Sequence, residues 1–168
     1  DMRNALTVAR NRRATSLILN SMNETDNSKR DSNLIGALLV THRKTLAVDE
    51  SCTGGLVTAR LTNVPGSSRY LRGTVVAYHN DLKRGCLGVS ADALARYGAV
   101  SSHTAGAMAQ GIRRMAGSDV GLSVTGIAGP TGATAKKPVG LVFLGLADRR
   151  GVKILRCQFF GDRASIKM

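Results

Sequence analysis

The 168-residue chain carries 24 Lys and Arg against 11 Asp and Glu, a formal net charge of +13, with 43% hydrophobic and 21% charged residues. That length suits one domain burying roughly 70% of its unfolded surface without disulfides or metal, and the composition excludes a disordered chain. The longest apolar runs, Leu34 to Val40 and Val139 to Ala147, fall far short of the roughly 18 residues that a membrane-spanning helix needs, so no membrane partner is expected.

Residues 1 to 31 differ from the rest. Arg3, Arg10, Arg12, Arg13, Lys29 and Arg30 sit among Asn, Ser and Thr, with no acidic residue between Asp1 and Glu24. The stretch is expected to be a basic N-terminal extension, solvated or partly helical, ahead of a domain spanning 32–168. Leu34, Ile35, Leu38 and Leu39 recur at helical spacing behind a candidate Ser32 cap, and Thr45 to Val48 reads as a short buried strand. A short helix is expected over Gly55 to Leu61, broken by Asn63-Val-Pro-Gly-Ser-Ser68, and a β-branched strand over Gly73 to Tyr78. Two helices follow, one capped by Ser90 and running through Leu94. The other starts after Ser101 or Ser102, with Ala105, Met108, Ala109, Ile112 and Met115 on one face. Strands over Val120 to Val124, Val139 to Ala147 and Val152 to Phe160 complete the chain, the last two forming a hairpin about Asp148-Arg-Arg-Gly151. Early helices between strands and a late hairpin predict an α/β fold: a three-layer αβα sandwich with a mixed β-sheet, in a single domain.

Cys52, Cys86 and Cys157 form no C-x-x-C pair and are odd in number, which argues against a disulfide framework and a Cys-rich zinc site and suits a reducing cytoplasm. Three Tyr, three Phe and no Trp supply a base-stacking platform poorly. The positive charge attracts any polyanion, from DNA to a phosphorylated metabolite.

Three loops rich in Gly, Ser and Thr flank the predicted strands: Ser51-Cys-Thr-Gly-Gly55, Gly66-Ser-Ser68 and Thr125-Gly-Ile-Ala-Gly-Pro-Thr-Gly132. Their amides can approach an anion, the first with the positive end of a helix behind it, so that together they could form a phosphate cradle, with Thr53, Gly54, Gly55, Thr125, Gly126 and Gly129 as the candidate substrate-binding residues. None of the loops matches a dinucleotide or Walker fingerprint, and each alone reads equally as a turn. Ser51 at a strand-to-helix turn is either a nucleophile or an ordinary N-cap. His42, His79 and His103 are dispersed and there is no G-x-S-x-G elbow, so Lys83 is the alternative base, with a tyrosine hydroxyl as relay. A solvated Lys83 and a half-buried core Tyr78 are the plain alternatives.

From about residue 33 onward the chain resembles the CinA C-terminal family. The resemblance is carried in order by Glu50-Ser-Cys-Thr-Gly-Gly-Leu56, Val64-Pro-Gly-Ser-Ser68, Gly73-x-Val-Val-Ala-Tyr-x-Asn80 with Lys83, Leu87-Gly-Val89, Tyr97-Gly-Ala-Val-Ser101, Val124-Thr-Gly-Ile-Ala-Gly-Pro130, Lys137-Pro-Val-Gly140 and Phe160-Gly-Asp-Arg163. It implies a cytoplasmic, homo-oligomeric amidohydrolase that needs no metal or cofactor. The implied reaction converts nicotinamide mononucleotide to nicotinate mononucleotide and ammonia, in pyridine-nucleotide salvage. Under the resemblance Ser51 is the nucleophile, Tyr78 and Lys83 its activating partners, and Thr125 and Arg163 bind or orient substrate.

Four features depart from the family pattern. Asp49 stands where a small residue is usual, so that a carboxylate two positions before Ser51 either perturbs its ionisation or faces solvent. His79 replaces a small polar residue, and the loop from Thr131 to Lys136 lacks the usual Pro-Glu. Only five residues follow Arg163, where the family continues into a C-terminal helix, so that helix is expected to be missing. These departures support a competing expectation, a catalytically degenerate nucleotide-binding or interaction module linked to competence or DNA damage. Nonspecific nucleic-acid binding rests on charge alone and is not expected.

Overall fold

The computed structural model describes residues 27–168; the expectations for residues 1–26 lie outside the described residues. Five strands, β1 (Leu46–Glu50), β2 (Leu71–Val76), β3 (Val120–Gly126), β4 (Leu141–Asp148) and β5 (Gly151–Gln158), form one sheet in the order β2-β1-β3-β4-β5. β1 runs parallel to both of its neighbours, whereas β4 and β5 join antiparallel, so the sheet is mixed. The described helices are α1 (27–41), α2 (Leu56–Thr62), α3 (Asn80–Gly85), α4 (Ala91–Tyr97), α5 (Ser102–Met115) and α6 (Arg163–Lys167), with a 3-10 turn at Ser67–Arg69.

Strand alternation divides the core between two faces. Ala47 meets Met108 and Ile112 of α5, with Leu87 and Val89, while Ala93 and Leu94 of α4 pack on the same cluster. Leu46 and Val48 point the other way, onto Leu61 and Val57 of α2 and Leu39 of α1, and Val124 and Val142 extend that face to Ile166 of α6. Helices on both faces make the expected three layers. α5 sits close against the sheet because Gly121 of β3 and Gly145 of β4 offer no side chain beneath it. A Cβ on Gly121 would lie 2.2 Å from the Ala109 carbonyl oxygen, and one on Gly145 would lie 2.6 Å from that of Ala105.

The helix caps follow the sequence closely. Ser90 Oγ accepts from the Ala93 amide and Ser101 Oγ from the Thr104 amide. Ala105, Met108, Ala109 and Ile112 are buried as expected, whereas Met115 is exposed. Other expectations are corrected. Ser32 is not a cap: it lies within α1, with its hydroxyl on the Ser28 carbonyl at 3.0 Å. The stripe of Leu34, Ile35 and Leu38 is largely exposed, because α1 docks through small residues, with Gly36 against the ring of Tyr70. β2 ends at Val76, so Tyr78 lies beyond the strand, and His79 caps the unanticipated α3 by accepting from the Asp81 amide. The residues after Asp162 form the single turn of α6, capped by Asp162.

Candidate active site

Ser51 follows the last residue of β1, where Glu50 pairs in register with Val76 of β2 and Val124 of β3. This is the C-terminal edge of the parallel strands, at the point where the chain places strands on either side of β1. Open α/β sheets bind ligands at such a crevice. The Ser51 amide donates to the Val124 carbonyl at 2.9 Å, which locks the turn onto β3.

The strand's two-residue period sends the consecutive carboxylates Asp49 and Glu50 to opposite faces. Glu50 turns towards α2 and accepts from the amides of Gly55, Val57 and Thr58 and from the Thr58 hydroxyl, at 2.7 to 3.1 Å. Burial alone would raise its pKa, but the Thr53 hydroxyl beside it and the Thr58 and Val57 donors outweigh burial and hold it below the ordinary value. Glu50 therefore satisfies the N-terminal amides that the sequence offered to a substrate anion, and it fixes α2 behind the nucleophile. The amides of Cys52 and Thr53 are left without a carbonyl partner among the described residues. Thr53 Oγ1 is buried and lacks a partner of hydrogen-bond geometry.

Asp49 faces the same side as Ser51 and is fully buried, not turned to solvent. Neither of its oxygens has a hydrogen-bond partner among the described residues. Burial drives its pKa from 3.8 up to about 7, against the pull of Lys83 and of the nearby Ala77 amide.

Lys83 enters this face from α3 and is 1% exposed. Its Nζ lies 3.1 Å from Ser51 Oγ, 2.5 Å from the Ala77 carbonyl oxygen and 3.3 Å from that of Tyr78. Burial holds its pKa below the ordinary 10.5, while Asp49 and Cys52 act the other way. The Cys52 thiol points to the opposite face, where burial raises its pKa and keeps it protonated.

Tyr78 reaches the pair through its backbone carbonyl. Its ring is exposed, and its hydroxyl accepts from Arg163 Nη2 at 2.9 Å. Arg163 Nη1 donates to the Gly129 carbonyl at 2.7 Å, so one guanidinium joins the loop after β2 to the loop after β3. Lys167 of the same short helix places Nζ within 3.7 Å of where a Cβ on Gly54 would stand. Two cations of α6 thus border the glycine loops; Lys167 was not singled out in the sequence, since a terminal lysine carries no motif.

The remaining loop residues have defined roles. Gly54 and Gly55 take positive φ of 65° and 101° to turn the chain into α2. Gly126 is required by packing, because a Cβ there would lie 2.6 Å from Val142 Cγ2, and a Cβ on Gly129 would lie 2.7 Å from Val139 Cγ1. Thr125 is buried, and its hydroxyl donates to the Ala99 carbonyl at 2.9 Å, tying the connection between α4 and α5 to β3. Among the described residues no cluster of three or more His, Cys, Asp or Glu can hold a metal ion, and no helix is long and apolar enough to cross a membrane.

Together these features define a single-domain α/β protein with a buried serine–lysine pair at the edge of a mixed sheet. The CinA C-terminal domain model matches residues 29–168, and the chain belongs to that family. It is 57% identical over 134 residues to a Desulforudis audaxviator protein named as competence-damage inducible, and 45% identical over 136 residues to a CinA-like protein of Endomicrobium trichonymphae. These matches cover 80% and 81% of this chain but 32% of each relative, so the chain spans about a third of the length of the curated relatives it matches. Among solved structures, it superposes with a TM-score of 0.81 on the competence/damage inducible protein CihA of Agrobacterium tumefaciens, at 37% identity over 83% of this chain and 86% of that one. A CinA superfamily protein of Escherichia coli gives a TM-score of 0.81 at 28% identity, over 85% of this chain and 83% of that one.

Proposed function

We propose that the chain is an amidohydrolase that cleaves the carboxamide of nicotinamide mononucleotide through an acyl-enzyme on Ser51. The observation that carries the reading is the serine hydroxyl 3.1 Å from an amine that is 1% exposed and otherwise bound to two carbonyls. A desolvated lysine with a lowered pKa is a competent general base, and a serine within its reach is a competent nucleophile. Ser51 Oγ attacks the carboxamide carbon as its proton passes to Lys83 Nζ. The carbon–nitrogen bond then breaks, and ammonia departs with that proton. Water attacks the resulting ester, giving its proton to Lys83, which returns it to Ser51 Oγ as the acid leaves.

The cations of α6 and the net charge of +13 suit a substrate bearing a phosphate. The names of the relatives, which speak of competence and damage, favour a second reading: a nucleotide-binding or interaction module without turnover. Ammonia release from nicotinamide mononucleotide, measured with Ser51→Ala and Lys83→Ala beside the parent and no metal added, separates the two. Turnover in the parent that is lost in both variants is the expected result. A folded parent that binds the nucleotide without releasing ammonia supports the second reading and ends the first.

A further inference from the structure

We propose that Asp49 is a positioning residue of the Ser51–Lys83 pair: its buried carboxylate, on the strand face shared with Ser51, is the counter-charge that lets Lys83 carry the serine proton in a dry site. The inference deepens the amidohydrolase reading and rests on the serine–lysine part of it.

The geometry around Nζ leads to this role. A lysine nitrogen has four tetrahedral positions, one taken by its own side chain. The carbonyls of Ala77 and Tyr78 can only accept, so they occupy two N–H positions. The third faces Ser51 Oγ. In the amine this position is a lone pair receiving the serine hydroxyl, and in the ammonium it is an N–H pointing back at the serine oxygen. Both protonation states are satisfied without movement. No position remains for Asp49, which explains how a carboxylate can lie on this face with neither oxygen hydrogen-bonded. Asp49 acts on Lys83 through its charge.

That charge has no substitute among the described residues nearby. Two carbonyl dipoles are weak compensation for a full positive charge away from water. Glu50 lies on the opposite face and is occupied by four donors, and Cys52 is held as a neutral thiol. α5 presents Met108 and Ile112 to this face. Ser123, the register partner of Asp49 on β3, gives its hydroxyl to the Ala105 carbonyl. An unpartnered buried carboxylate is costly, and an apolar residue would suit the packing better. Its presence beside the buried amine of Lys83 is accounted for by the charge it supplies when that amine becomes an ammonium.

Because the two groups interact, they titrate as a pair. Asp49 favours the protonated form of Lys83, so removing its charge makes Lys83 lose its proton at lower pH. The test uses an alkyl fluorophosphonate, which labels an activated serine whatever the natural substrate. Intact mass after brief exposure gives the Ser51 labelling rate across a pH series for the parent, Asp49→Asn and Lys83→Met. Labelling is expected to be lost in Lys83→Met. In Asp49→Asn its midpoint should move to lower pH by about one unit or more, with a plateau lowered roughly tenfold. A profile for Asp49→Asn superimposable on that of the parent would overturn the role of Asp49 while leaving the serine–lysine pair intact. A folded parent that takes no label at any pH would overturn the pair and the role together. Labelling without ammonia release from nicotinamide mononucleotide, with the midpoint still shifted, would end the substrate assignment and support Asp49. If Asp49→Asn does not fold, a carbon-13 titration of the Asp49 carboxyl in the parent and in Lys83→Met decides: a midpoint that rises when the lysine charge is removed supports the inference, and one that does not move overturns it.

Discussion

Arg163 Nη2 donates to Tyr78 Oη at 2.9 Å across 85 positions of sequence, while Nη1 of the same guanidinium holds the Gly129 carbonyl. A planar fork bridges two loops in a way that the single point charge of a lysine cannot. Arg163→Lys is therefore expected to keep the fold and the local charge but release the loop after β2 from the loop after β3. Steady-state kinetics with nicotinamide mononucleotide should show kcat/KM reduced roughly 10- to 100-fold, mostly through KM, as expected when substrate is held slightly out of place. Unchanged kinetics would remove Arg163 from the site.

Lys83 is the second residue whose replacement separates roles. Lys83→Met retains the stem of the side chain but no base, and kcat is expected to fall by about 10² to 10⁴ with KM little changed. Lys83→Arg should not restore it, because a guanidinium does not give up its proton. In the parent, the rate should rise with pH and level off below 10.5, since burial lowers the lysine pKa. Recovery of activity in Lys83→Arg would show that the cation alone, and not the base, is needed.

The strands and the caps of α4 and α5 were legible because each is a local signal: β-branched runs between glycines, and Ser90 and Ser101 before helical stretches. α3 was not, since six residues with Leu82 as their one large apolar side chain give no periodicity. α1 shows the limit of periodicity from the other side. Leu34, Ile35 and Leu38 announce a helix, but the face it buries is decided by how closely Gly36 approaches Tyr70, a tertiary fact. In the site, Ser51 was marked by its turn and its motif. Lys83 was chemically ambiguous until burial distinguished a base from a surface charge. The opposite fates of Asp49 and Glu50 follow from alternation along β1, yet only the position of α2 says which of them receives four donors.

Glu50 should matter as much for stability as for the site. Glu50→Gln keeps the shape but turns one acceptor oxygen into a donor that faces the amides of α2, so unfolding in urea near neutral pH is expected to show a loss of about 2 to 4 kcal/mol. The sign with pH follows from the depressed value. The folded pKa lies below 4.5, so the stabilisation is fully present above that and is lost as pH falls through the folded value. The gap between parent and variant should narrow in that acidic window. A gap independent of pH would assign the effect to packing.

Asp49 should behave in the opposite sense. Its folded pKa is raised from 3.8 to about 7, so between these values the native state holds a proton that the unfolded chain releases. Stability therefore falls as pH rises through this window, and the cost of the buried charge is complete above about 7. Three pH units set an upper bound of about 4 kcal/mol. Asp49→Asn cannot ionise, so it should be more stable than the parent at about pH 8, by up to that amount, and close to it near pH 4. Urea unfolding at a series of pH values reads both ends. If the variant is the less stable protein above neutral pH, Asp49 makes a net favourable contact. The carboxylate would then be a structural element and not a charge retained at a cost for the sake of Lys83.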